Sequence, residues 1–180
     1  MFLCPLYAWI YDNRGEFVGV PKESHFGEVD RAGHTLVSLP PVGLYGLLFG
    51  SPQFGASFDL DSLLENLTPE PASWGFGGCL CCEKIRFGHA MNWKLVIEMF
   101  GESYHFNTLH GNILALHYYG NHQAYDEYGR TQRLTLCLRS MGNMSTKQRE
   151  EWDVLKSALT VCVVFPNVQL LVQAHGVTLM

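Results

Sequence analysis

Apolar and polar side chains alternate one for one in several separate runs of this sequence, and that period of two constrains the fold more than any other feature. A strand sends successive side chains to opposite faces, so such runs mark half-buried strands. The clearest is Trp93 to Phe100, where Trp93, Leu95, Ile97 and Met99 alternate with Lys94 and Glu98. Gly101-Glu102 then offers a tight turn, and Tyr104, Phe106 and Thr108 form one face of a return strand, so 93–109 reads as a β-hairpin. Ile113–Tyr119 follows as a strand, Gly120–Gly129 as a polar loop, and Gln132–Arg139 as a further strand with Leu134, Leu136 and Leu138 on one face. Leu6–Tyr11 and Glu16–Val20 flank the turn Asp12-Asn13-Arg14-Gly15 as an opening hairpin, and Thr160–Phe165 and Val168–Ala174 are strands broken at Pro166-Asn167.

Helical signals are fewer. Asp59 stands as a cap before Leu60, Leu63, Leu64 and Leu67 at helical spacing, with Thr68-Pro69 ending the run. Ser145 with Gln148 resembles a capping box ahead of Trp152, Leu155 and Leu159, predicting a helix over 145–159. These elements predict a mainly β, α+β chain: an antiparallel barrel or sandwich with one or two short helices, forming a single β-rich domain over residues 1–180.

Composition narrows function. The 180 residues are 47% hydrophobic and only 16% charged, which suits a chain that buries surface against itself or against partners. A net charge of −5 and the spread of Arg130, Arg133 and Arg139 along a strand leave no basic face for nucleic acid. No apolar run is long enough to span a membrane. Met1–Tyr11 lacks a cationic leader and a cleavage site, so it reads as a first strand and not a signal peptide. Cytoplasmic synthesis is expected, with export or a place in a particle left open.

The candidate metal ligands are Cys79, Cys81, Cys82 and His89, a thiolate group with a nearby imidazole that tetrahedral zinc would suit. Against it, the run has no second cysteine pair, and strand alternation would aim Cys82 away from Cys79 and Cys81. The eight histidines show no HxH, HxxH or HExxH spacing. His105, His110 and His117 would converge only from neighbouring strands, and ordinary, partly exposed side chains are the preferred reading. No nucleophile elbow, P-loop or dinucleotide fingerprint occurs, so the expectation is a protein that is not an enzyme and needs no cofactor. The aromatic residues remain. Tyr7, Trp9 and Tyr11 on one strand face, with Trp93, Tyr104 and Phe106 of the hairpin, are candidate interface anchors.

Residues 5–15, Pro5-Leu6-Tyr7-Ala8-Trp9-Ile10-Tyr11-Asp12-Asn13-Arg14-Gly15, resemble the opening strand and turn of the haemolysin-coregulated proteins, the tube subunits of type VI secretion systems. The stretch with Trp93, Gly101, Tyr104, Phe106, Asn107 and Thr108 is similar to that family's long hairpin. The Cys79–Cys82 run has no counterpart there, and the segment after Ser145 exceeds what the family needs. The resemblance implies a small barrel stacking as hexameric rings without catalytic residues. The expected function is therefore a tube- or ring-forming assembly subunit whose partner is itself. The alternative is a viral or phage accessory protein that binds another protein of its host.

Overall fold

A computed structural model describes every residue except Phe58. The chain divides into two compact units, Met1–Phe58 and Asp59–Met180, where the sequence reads as one β-rich domain.

The N-terminal unit is built from tight turns. Strands β1 (Phe2–Leu3), β2 (Ile10–Tyr11) and β3 (Phe17–Gly19) form an antiparallel sheet in chain order. The turn joining β2 to β3 is organised by Asp12, whose Oδ1 accepts the amides of Arg14 at 2.8 Å and Glu16 at 2.9 Å. Gly15 closes it at φ 84°, a conformation that costs glycine little. The opening hairpin expected here is present, though its strands are shorter. The aromatic stripe is not, because Ala8 turns to φ 57° and breaks the alternation between Tyr7 and Trp9. Trp9 and Tyr11 pack instead around the buried Phe17 ring, at centroid distances of 5.1 and 5.9 Å, while Tyr7 stays exposed. A second hairpin, β4 (Pro41–Leu44) and β5 (Leu47–Gly50), turns through Tyr45 and Gly46. Both have positive φ, as a two-residue turn matching strand twist requires.

The C-terminal unit opens with helices. Asp59 caps α1 (Leu60–Leu64) by accepting the Ser62 amide, as expected. Pro69 does not end helical structure there; it occupies the first turn of α2 (Pro69–Ser73), where its missing N–H costs nothing. After an extended stretch come α3 (Trp93–Phe100), α4 (Phe106–Leu109) and α5 (Leu114–His117). Strands β6 (Tyr118–Tyr128) and β7 (Thr131–Leu138) follow, then one helical turn, α6 (Val154–Ser157). The chain ends in β8 (Ala158–Val164), β9 (Val168–Gln173) and β10 (Gly176–Leu179). These last five strands form an antiparallel meander in the order β10-β9-β8-β7-β6.

One hydrophobic cluster of this unit lies on one face of the meander. Leu134, Leu136, Leu159 and Val161 pack with Phe106 and Tyr118. All seven residues of β8 are buried, which explains its unbroken apolar run as a central strand. Polar contacts fix the early helices to the sheet: the buried Thr131 hydroxyl donates to the Leu63 carbonyl at 2.9 Å, and Arg133 pairs with both Glu70 and Asp126.

The architecture is mainly antiparallel sheet with short helices, an α+β fold. The sequence predicts a barrel or a sandwich; among the described residues the strands lie in three open sheets, and a barrel is not shown. Three further expectations fail for identifiable reasons. The 93–109 hairpin is two helices: Asn92 caps α3 through the Lys94 amide, and Val96 and Phe100 supply apolar positions that the alternation ignored. The 120–129 loop is most of β6, whose polar side chains face outward from an edge strand. In place of a helix over 145–159 stand 3-10 turns, the single helical turn α6 and the first two residues of β8; at its expected start the Ser145 hydroxyl bonds back to the Gly142 carbonyl instead of capping forward. Among the described residues no helix is long and apolar enough to cross a membrane.

Candidate metal centre

Glu102, His105 and His110 form a cluster of titratable side chains gathered around the buried Phe106 at the edge of the meander. Its position follows from three local devices. Gly101 ends α3, and the next residues turn beside a large bulge in β6, where Tyr118 pairs with Leu138 but Gln123 already pairs with Leu136. Ser103, 1% exposed, holds that turn to the bulge: its Oγ lies 3.2 Å from the Gly120 carbonyl oxygen and 2.6 Å from the Gln123 side-chain amide. Gly120 suits this fit, since a Cβ there would meet the end of the Asn107 side chain at 2.8 Å and push it aside.

Phe106 then plants α4 in the core against Tyr118, ring centroids 6.0 Å apart, and sets the two histidines on either side of itself. On a continuous helix, residues five apart point about 140° away from each other. Here α4 stops at Leu109 and His110 leaves helical geometry at φ −116°, ψ 31°. The His105 and His110 rings therefore meet edge-on with centroids 5.3 Å apart. The His110 carbonyl accepts the amides of Ile113 at 3.0 Å and Ala115 at 3.2 Å, which fixes its backbone.

Glu102 orients His105. One carboxylate oxygen, Oε1, accepts from His105 Nδ1, and the other accepts the amides of Tyr104 and His105. Burial pushes the Glu102 carboxyl up, but the His105 side chain and these two amides outweigh it, so its pKa lies below the ordinary value. An ionised Glu102 keeps the proton on His105 Nδ1 and leaves the Nε2 lone pair free for a metal. Both Glu102 oxygens are thus engaged in orientation. Among the described residues no three His, Cys, Asp or Glu side chains are gathered to hold a metal, so the two rings would make only part of a ligand set.

The other candidates fall elsewhere. Cys79, Cys81, Cys82 and His89 lie on an exposed stretch without regular structure, and the three thiols reach only the carbonyls of Gly75, Glu83 and Leu80. Among the described residues these four do not gather into a group that could hold a metal. Trp93 is half exposed on α3, Tyr104 is almost fully exposed, and Phe106 is core, so no common surface unites them. Of the three histidines weighed together, His105 and His110 do converge, by a helix end and not across strands, while His117 is exposed at the end of α5. The available signal was the Glu-x-x-His spacing of Glu102 and His105 just after a helix-ending glycine.

Residues 76–180 match the family described as ring hydroxylating alpha subunit (catalytic domain). The alpha subunit of N,N-dimethyl phenylurea N-demethylase from Sphingobium sp. (strain YBL2) is 32% identical over 123 residues, 62% of this chain and 26% of that protein. A quaternary ammonium Rieske monooxygenase superposes with a TM-score of 0.75 at 15% identity, covering 98% of this chain and 46% of the solved one. The same kind of enzyme solved with its substrate L-carnitine gives 0.73 at 13% identity. The chain spans about a quarter of the length of its curated relative and just under half of the solved ones.

These matches overturn the tube-subunit resemblance, which rested on aromatic strand patterns that the fold does not contain over 93–109. They equally overturn the host-binding alternative and the expectation of a protein that is no enzyme. The expectation of no cofactor falls with them, because Rieske oxygenases work through iron, as an iron–sulfur cluster and a non-haem ion. The chain belongs to the ring hydroxylating alpha subunit family, and its C-terminal unit carries the match to that family's catalytic domain.

Proposed function

We propose that this chain is the part of an iron-dependent oxygenase catalytic domain that provides two histidine ligands, His105 and His110, to a mononuclear iron. The observation that carries the reading is the edge-on meeting of these two rings beside a carboxylate already committed to orienting one of them. Non-haem iron held by two histidines and one carboxylate, with open positions, supplies dioxygen activation in oxygenases of this kind. The chain's own residues do the rest. Glu102 fixes the His105 tautomer, Phe106 anchors the pair, and Ser103 holds the preceding turn to the β6 bulge. The third ligand is a carboxylate from outside this cluster.

Relatives suggest the substrate class. The curated relative is named for removing an N-methyl group from dimethyl phenylureas, and the solved ones are quaternary ammonium monooxygenases. We read a small organic molecule bearing an alkylated nitrogen as the substrate. One solved relative is described with inter-subunit electron transfer, and this supports a homo-oligomer here too.

Anaerobic titration of the full chain with Fe(II) tests the site. Wild type takes up one ion, and His105→Ala or His110→Ala abolishes uptake. Glu102→Gln weakens it about 10- to 100-fold, the usual effect of removing a partner that orients a histidine ligand. Unchanged uptake in both histidine variants would refute the assignment.

A further inference from the structure

A Rieske [2Fe–2S] centre takes two cysteines on one iron and two histidines on the other. The solved Rieske relatives superpose on 98% of this chain, N-terminal unit included, whereas the catalytic-domain match begins at residue 76. If the chain is a Rieske-type oxygenase, as proposed above, its N-terminal unit is where such a cluster belongs. The donors in that unit do not fit one. Its cysteine and histidines are Cys4, His25 and His34, so one thiolate is missing from the set.

The geometry makes the mismatch deeper. Cys4 does sit in a loop suited to a thiolate: the Tyr7 amide donates to its Sγ at 3.5 Å, and the amides of Tyr7 and Leu6 hold its pKa below the ordinary thiol value. But the residue whose amide reaches Cys4, Tyr7, carries an exposed phenol, not a histidine that could join Cys4 as a ligand. His34 is already engaged, its Nδ1 2.6 Å from the Asp30 carbonyl oxygen and its ring 5.4 Å from Trp9 and 6.2 Å from Phe17. His25 lies in an exposed 3-10 turn. Among the described residues, no three metal-binding side chains gather there or elsewhere. We infer that this chain retains the Rieske-oxygenase fold around Cys4 but cannot hold a Rieske cluster with its own residues, and that any cluster serving it draws ligands from outside these 180 residues.

The test is anaerobic reconstitution of the full chain with Fe(II) and sulfide, followed by desalting. The readouts are iron, acid-labile sulfide and, after reduction, pulsed EPR for coupling to histidine nitrogens. Because exposed thiols scavenge iron sulfide, the same protocol is run on the variant carrying Cys79→Ser, Cys81→Ser and Cys82→Ser together, and on Cys4→Ser. The expected result is no acid-labile sulfide above background in the triple variant, iron that depends on His105, and no change on Cys4→Ser. Two irons and two sulfides per chain in the triple variant, with coupling to two histidines and loss on Cys4→Ser, would overturn the inference while leaving the iron pair intact. Loss of the His105-dependent iron alone would strike the proposed function and leave the cluster inference standing.

Discussion

Strand β8 and helix α3 are both short, strongly apolar runs, yet the molecule uses them in opposite ways. Every residue of β8 is buried between β7 and β9. In α3 only Ile97 is partly covered, while Trp93, Leu95 and Met99 are each about half exposed, at 49, 49 and 50%. The contact seen under α3 is the Gln169 side chain, whose Nε2 donates to the Ile97 carbonyl at 3.3 Å. The lesson is one of division of labour. The meander supplies stability, and the segment running from 79 through α5, which carries the histidine pair, is tied to it by anchors that include Ser103, Phe106, Leu114, that glutamine and the Arg139 side chain, whose Nε donates to the Ala115 carbonyl at 3.0 Å. Sites that must accept ions and partners are commonly drawn from such thinly packed regions.

The comparison can be broken first in the sheet. Leu134, 2% exposed, sits at the centre of the core cluster, so Leu134→Ala should cost about 2–5 kcal/mol by denaturant unfolding. A loss below 1 kcal/mol, a threshold set well under the range for buried leucines, would mean the meander is not the stabilising element.

Next comes pH. Cys162 on β8 is fully buried, and burial pushes its thiol up to about 12, the nearby Arg133 opposing only in part. A folded value raised above the ordinary thiol value of 9.0 means the folded chain binds the proton more tightly. Its contribution is complete below pH 9 and is lost as pH rises from there towards 12. The slope in that window is at most about 1.4 kcal/mol per pH unit. The difference between wild type and Cys162→Ala isolates it, and identical alkaline profiles would contradict this burial. Thiol reagents sharpen the same contrast, since Cys79, Cys81 and Cys82 are exposed and should react in the native protein while Cys162 waits for unfolding.

The smallest effect belongs to α3. Leu95→Ala should change stability by about 0.5 kcal/mol or less, as exposed positions do. A loss as large as that of Leu134→Ala would show that α3 is packed in solution.

What could be read from sequence divides along the same line. Where local chemistry and burial agree, the reading holds: Asp12 and Gly15 write their turn, Asp59 writes a cap, and Leu134 to Leu138 alternate because β7 has one core face. The break at Pro166-Asn167 likewise separates β8 from β9. Where apolar residues are not buried, periodicity misleads. Trp93, Leu95, Ile97 and Met99 alternate like a strand, but Lys94 and Glu98, four apart, share one side of a helix as readily as one face of a strand, and the Asn92 cap decides for helix. Polar β6 failed for the converse reason: an edge strand can be stabilised by one neighbour while its side chains face water. The histidine pair was hidden because its spacing matches neither a helix face nor a strand face. It depends on α4 ending at Leu109 and on a bulge in β6, and both are products of tertiary packing.

The most direct test of this account is spectroscopy of the full chain loaded with Co(II), a stable substitute for Fe(II), after uniform labelling of its histidines with nitrogen-15. The account predicts one bound ion coupled to two imidazole nitrogens, one being Nε2 of His105, with no sulfur-to-metal charge-transfer absorption. An ion bound by thiolates of Cys79, Cys81 or Cys82, without coupling to His105 and His110, would contradict it.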